Sequence, residues 1–172
     1  MKIFSNNIKN GYFDDKIGNR GEQFVSGEIS NYSFHLGWSD LPKGTQSLAL
    51  IFLDHDAIPV CGFSWIHWTV ANIDCSLSEL PENASLTMNL LEGVNSFCSP
   101  IIPENWQLSR EDAISYGGCA PPDKDHSYNV TLYALDKKLD IQAGFFANEL
   151  LNKMHGSILD SSSLVGIYKS NK

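Results

Sequence analysis

The chain has 172 residues, 42% hydrophobic and 19% charged, which suits one globular domain spanning 1–172 that needs no disulfide or metal staple. Twelve Lys and Arg against twenty Asp and Glu give a formal charge of −8, and with no basic cluster this excludes a nucleic-acid backbone as partner. The longest apolar runs, such as 48–53, fall far short of the roughly 20 residues of a membrane-spanning helix, so no integral membrane association is expected.

Taken in chain order, residues 1–4 read as a short strand followed by polar residues rather than the apolar core of a secretory leader, so the expected compartment is the cytoplasm. A second short strand is predicted at 32–36. Residues 47–53, Ser-Leu-Ala-Leu-Ile-Phe-Leu, form a continuous apolar run between Pro42-Lys43-Gly44 and the turn chemistry of 54–62. The next run, 66–73, is rich in β-branched and aromatic residues, and a short strand is predicted at 85–88. Segment 95–113 lacks a clean period and contains Pro100 and Pro103; it reads as a surface excursion with a short helical turn near 109–113, capped by Ser109. Residues 128–135 alternate strongly, and 163–168 supply a closing strand. One helix is predicted, over 143–155, where Phe146, Leu150, Leu151 and Met154 define an apolar face and Gly156 supplies a stop. Many strands with one late helix point to a mainly β fold, an antiparallel β-sandwich with a C-terminal helix and short peripheral helices. Cys61, Cys75, Cys98 and Cys119 lack the paired spacing of zinc or redox motifs and read as inert thiols.

Three segments place polar residues at the ends of apolar strands. The first, Asp54-His55-Asp56-Ala57-Ile58-Pro59, carries two carboxylates that by themselves suit Asx-turns. The second, Trp65-Ile66-His67-Trp68-Thr69-Val70-Ala71-Asn72, puts Trp65, His67, Thr69 and Ala71 on one face by strand alternation and Ile66, Trp68 and Val70 on the other. The third runs from Tyr116-Gly117-Gly118-Cys119-Ala120-Pro121-Pro122 to His126-Ser127-Tyr128. Its glycines permit close backbone approach, its prolines make a stiff wall, and His126 and Tyr128 share a strand face about 6 to 7 Å apart.

The ordered set D-x-D, W-x-H-W-x-V-A-N and Y-G-G-x-x-P-P…H-x-Y resembles the phosphatidylethanolamine-binding family, in its bacterial branch of Raf-kinase-inhibitor-like proteins. Lead-in residues 38–50, Asn95-Ser96-Phe97 and the closing 154–168 extend the likeness along nearly the whole chain. Ile58 intervenes before Pro59 where the family has Pro directly after Ala, and Ser127 stands where a basic residue is common. The resemblance implies a ligand pocket built from Asp54, Asp56, His67, His126 and Tyr128, walled by Pro121 and Pro122, with Gly117 and Gly118 offering backbone groups. Imidazoles, a phenol and loop N–H groups can all donate to anionic oxygens, with an Asp placed either behind a His to fix its tautomer and raise its pKa or facing a cationic amine on the ligand. The implied partner is a small anionic molecule or a phospholipid head group, bound without metal or cofactor. A protein-interaction regulator, acting on a kinase or protease through the 97–113 segment, is the alternative, and a homodimer is expected by analogy with the bacterial branch. Two Asp and two His also suit a cation site, but no nucleophile elbow or H-E-x-x-H helix accompanies them, so no enzyme activity is expected.

Overall fold

Residues 1–27 and 29–171 are described by a computed structural model of the chain. The strands are β1 (Lys2–Phe4), β2 (Ile8–Lys9), β3 (Tyr12–Phe13), β4 (Phe24–Ser26), β5 (Ile29–Ser30), β6 (Leu36–Ser39), β7 (Ser47–Asp54), β8 (Trp65–Ile73), β9 (Glu79–Leu80), β10 (Leu91–Glu92), β11 (His126–Leu135) and β12 (Ile158–Tyr168). The α-helices are α1 (Ile58–Cys61), α2 (Ala84–Thr87) and α3 (Ala147–Met154). A seven-stranded sheet in the order β10-β8-β7-β11-β12-β3-β2 faces a three-stranded sheet, β1-β6-β9. Every pairing is antiparallel except β12 with β3, which run parallel.

The continuous apolar run of β7 has a structural cause, because both of its faces are covered. Leu48, Leu50 and Phe52 point to the inner side, where with Val130, Leu132 and Trp68 they pack on Phe34, Leu36, Trp38 and Leu80 of the smaller layer. Ala49 and Ile51 point outward, where Leu150 and Met154 of α3 cover them. Alternation in β11 is sharper: Tyr128, Val130, Leu132 and Ala134 are buried, and Asn129, Thr131 and Tyr133 between them are half-buried. Phe52 lies at the centre of an aromatic cluster, with Phe34 at 4.9 Å, His67 at 5.5 Å, Tyr128 at 5.7 Å and Tyr116 stacked at 6.0 Å between ring centroids. The hydrophobic core therefore runs directly into the residues of the candidate site.

Several expectations are corrected. The segment 85–88 is not a strand: Asn83, at a left-handed φ of 62°, turns the chain into α2, and the Met88 N–H donates to the Ala84 carbonyl. The strand placed at 32–36 begins only at Leu36, because the preceding residues turn their polar groups to other partners, as when the His35 N–H donates to Asn7 Oδ1. The closing strand starts five residues earlier than expected, at Ile158. The late helix is shorter than 143–155. Gly144 adopts a φ of 80°, Phe145 bridges to Gly93, and the Glu149 carboxylate accepts from the Phe146 N–H, so the helix begins at Ala147. Phe146 consequently stays outside the helical face at 45% exposure, while Phe145 packs inward.

Within the 95–113 excursion, two 3-10 turns form at Ser96–Cys98 and Glu104–Trp106. Ser109 Oγ accepts from the Asp112 N–H at 3.0 Å and so caps the turn that follows it. The excursion is not merely surface, since Val94, Phe97, Leu108 and Ala113 form a small buried cluster with Ile29. All four cysteines are free thiols. Among the described residues, no helix is long and apolar enough to cross a membrane.

Candidate functional site

The register of three strands brings the polar segments together. Asp54, the last residue of β7, lies opposite Tyr128 on β11 and opposite Trp65 on β8, so three functional side chains form a row across one end of the sheet. A β-bulge follows: Phe52 pairs with Trp68 and Leu53 with Ile66, leaving His67 as the extra residue. This overturns the simple alternation expected for 65–72. His67 reaches the same inner side as Trp68, lying 5.5 Å from Phe52, whereas Ala71 packs on the outer side.

Gly117 holds His67 at two points. Its N–H donates to the His67 carbonyl at 2.8 Å, and its carbonyl accepts from His67 Nδ1 at 2.7 Å. A carbonyl oxygen only accepts, so Nδ1 carries the proton and Nε2, which makes no hydrogen bond among the described residues, presents a lone pair when the ring is neutral. Burial lowers the pKa of His67, against an opposing contribution from the Asp54 carboxylate. Gly117 is required by close packing, because a Cβ there would lie 2.6 Å from the Phe97 ring.

His126 behaves differently. Nδ1 is bonded to Asp54 Oδ2 at 2.7 Å and Nε2 to Asp123 Oδ1 at 2.8 Å, so a proton on each nitrogen is donated to a carboxylate. Burial disfavours its charge, but the hydrogen bonds to Asp54 and Asp123 outweigh that and raise the pKa. Asp54 also accepts from the Ala57 N–H at 3.1 Å, the Asx-turn that the D-x-D pattern suggested. Tyr128 is fully buried, and burial holds its phenol protonated well beyond the usual range.

These side chains form the floor of a cavity of about 430 Å³. Its walls are apolar: Ala57, Val60 and Cys61 on one side, Phe97, Ile101, Ile102, Pro103 and Trp106 on another, with Ala120 and Pro122 closing it. Trp65 stacks on Phe63 and meets Phe97 edge-on at 5.0 Å. Two buried polar groups on cavity-lining side chains, the Tyr128 hydroxyl and the Trp65 indole N–H, find no hydrogen-bond acceptor among the described residues.

Of the nine residues expected at the site, Asp54, His67, Pro122, His126 and Tyr128 line this cavity and four do not. Asp56 instead accepts from the Ser127 N–H at 2.8 Å, pinning its loop to the start of β11. Gly117 and Gly118 offer no free N–H, since each donates within the chain, Gly118 to the Ser30 carbonyl at 2.7 Å. Pro121 is buried behind the wall, its carbonyl accepting from Ser170. An Asp stands behind one histidine only: Asp54 pairs with His126, while burial lowers the pKa of His67. Pro59 lies in α1 and does not line the cavity. Sequence reasoning missed Asp123 as a partner of His126, although its i, i+3 spacing was available. It also missed the apolar wall, whose signal was the unusual density of Ile101, Ile102, Pro103 and Trp106 in an aperiodic segment. Among the described residues, no cluster of three or more His, Cys, Asp and Glu side chains is arranged to hold a metal ion.

A mainly β sandwich whose large sheet ends in an apolar-walled cavity, floored by Asp, His and Tyr, defines the class of protein. The chain belongs to the phosphatidylethanolamine-binding protein family, whose model matches residues 5–169. It is 46% identical over 155 residues to YxkA of Bacillus subtilis, covering 89% of this chain and 86% of that protein. It is 30% identical over 175 residues to YbhB of Escherichia coli, covering 98% and 99% of the two. Among solved structures, a putative phosphatidylethanolamine-binding protein homologue from Chlamydia trachomatis superposes with a TM-score of 0.77 at 29% identity, over 99% of this chain and 97% of the other. YbcL of E. coli, described as a member of the mammalian family, gives 0.75 at 26% identity over 98% and 97%.

Proposed function

We propose that the protein binds a small ligand through an anionic group, a phosphate, phosphoethanolamine or carboxylate, seated on the polar floor of this cavity. The observation that carries the reading is Tyr128, whose buried, protonated hydroxyl finds no hydrogen-bond acceptor among the described residues while its side chain lines the cavity. Leaving such a group unpaired costs about 1–3 kcal/mol, and a ligand oxygen that accepts from it removes the cost. The unpartnered Trp65 Nε1–H supports the same reading as a second donor. The apolar walls, with Ile101 67% exposed and Val60 48% exposed, suit a ligand whose remainder is non-polar. The family description names phosphatidylethanolamine, whose head group contains a phosphate, in keeping with an anion at the floor. The reading is one of binding rather than catalysis and requires neither metal nor cofactor.

Titration calorimetry with phosphoethanolamine tests it. Tyr128→Phe and His67→Ala are each expected to lower affinity by about 1–3 kcal/mol, the scale of one hydrogen bond to a charged group. Thermal melts confirm that the variants are folded. Equal affinity in wild type and both folded variants would remove the assignment.

A further inference from the structure

The cavity floor has an unusual balance for a site that takes an anion. When protonated, His126 lies between two carboxylates, with Asp54 on Nδ1 and Asp123 on Nε2, so both of its N–H groups are already used. His67 has given its Nδ1–H to Gly117 and faces the cavity as a neutral ring whose remaining nitrogen, Nε2, can only accept. The titratable groups that face His67 are Asp54 at the end of β7 and His126 and Tyr128 of β11, with Cys61 of α1 lining the same space. The 95–113 excursion contributes no titratable side chain to the cavity. A ligand with no proton of its own would set an oxygen lone pair against the lone pair of His67 Nε2, beside the carboxylate of Asp54 and an imidazole whose two N–H groups are already taken by carboxylates. Tyr128 Oη and Trp65 Nε1 serve other oxygens of the ligand, but neither resolves that contact.

Building on the ligand-binding reading, we propose that the cavity takes its anion together with one proton, held between a ligand oxygen and Nε2 of His67. It therefore selects acids that keep an exchangeable proton near neutrality, phosphate monoesters above phosphodiesters. The proton arrives on the ligand at low pH and is drawn from the solvent at high pH, and no covalent bond forms or breaks. Burial of the ring, which disfavours a free imidazolium, makes the ligand the better carrier of that proton. The free head-group metabolite and the head group of an intact phospholipid are thereby separated, because only the monoester has a second ionisation, near pH 6 (~6).

Phosphoethanolamine and glycerophosphoethanolamine make the comparison, since they share phosphate and ammonium and differ in the second ester bond. Calorimetry on the full chain in two buffers of different ionisation enthalpy counts the protons taken up. The expected result at pH 8 is about one proton per monoester bound, falling towards none at pH 5, with affinity dropping about tenfold per pH unit above neutrality. The diester is expected to bind roughly tenfold or more weakly at pH 7, the equivalent of one lost charge-assisted hydrogen bond. Histidine ¹⁵N spectra read His67 separately from His126, and Nε2 of His67 is expected to change on saturation while both nitrogens of His126 stay protonated. Binding without proton uptake, or equal affinity for the two esters, overturns this inference alone. Failure of both esters to bind between pH 5 and 8 overturns the ligand-binding reading and the inference with it.

Discussion

Asp54 and Glu92 are both carboxylates buried at the margin of the large sheet, 4% and 7% exposed, yet they have very different partners. Asp54 accepts from the His126 imidazolium and from a backbone N–H, and Asp123 closes the far side of the same ring. Glu92 sits on the edge strand β10 and accepts from the Trp68 indole N–H at 2.6 Å, with the Ser85 hydroxyl nearby. Neither donor is charged, and burial raises the Glu92 pKa to about 7 despite both hydrogen bonds. The comparison teaches that similar depth gives buried acids different surroundings: Asp54 has a titratable imidazole as partner, whereas neutral donors alone do not offset the burial of Glu92.

Removing the cation is the most disruptive way to break this comparison. His126→Ala leaves Asp54 buried without its counter-charge, and a loss of about 3–5 kcal/mol in unfolding free energy is expected. Urea denaturation at pH 6 measures it, and a loss below about 1 kcal/mol would mean that Asp54 is held by its backbone contact alone. The wild-type contribution has a definite sign with pH. Because the His126 pKa is raised on folding, its stabilisation is fully present below the ordinary histidine value and is lost as pH rises through the folded one.

Glu92→Gln sharpens the other half. The folded carboxyl, raised from 4.5 to about 7, binds its proton more tightly than in the unfolded chain. Stability is thus eroded as pH climbs from 4.5 towards 7, and above that range the cost is about 3 kcal/mol. The amide keeps an acceptor for Trp68, so the variant is expected to gain stability over wild type at pH 8 and little at pH 4.5. A gain independent of pH would show that Glu92 does not titrate in this way.

The smallest effect is expected for Asp123→Asn. The Asp123 side chain is half-exposed, so little global stability depends on it, but its carboxylate accepts from His126 Nε2 and favours the charged ring. The His126 pKa should fall when that charge is removed while the His67 titration stays unchanged, as followed by ¹⁵N spectra. An unchanged His126 pKa would assign its proton to Asp54 alone.

The strands at 47–53, 66–73 and 128–135 were legible because each is a long element with a strand signal, a continuous apolar run in the first, β-branched and aromatic residues in the second and alternation in the third. The alternation of His126 and Tyr128 was equally readable, and their rings lie 6.4 Å apart. Short segments were not. Ser85-Leu86-Thr87-Met88 alternates like a strand, but four residues bury too little surface to override the turn that Asn83 begins. The bulge at His67 left no mark in the sequence, since it depends on how β8 registers against β7.

By itself, then, the order of residues determined the sandwich, the three long strands and the strand face that His126 and Tyr128 share, because strand period and turn chemistry are local properties, while the meeting of Asp54 and His67 with them came as an implication of the family resemblance. Tertiary structure alone decided what each of those groups can do. Which imidazole nitrogen is free, which aspartate faces a cation, whether the glycine N–H groups are available and whether a hydroxyl is left unpaired all depend on partners distant in the chain. Hydrogen bonding and desolvation act over a few ångströms in space, and the 50 residues between His67 and Gly117 or the 72 between Asp54 and His126 leave no trace of that proximity in the sequence.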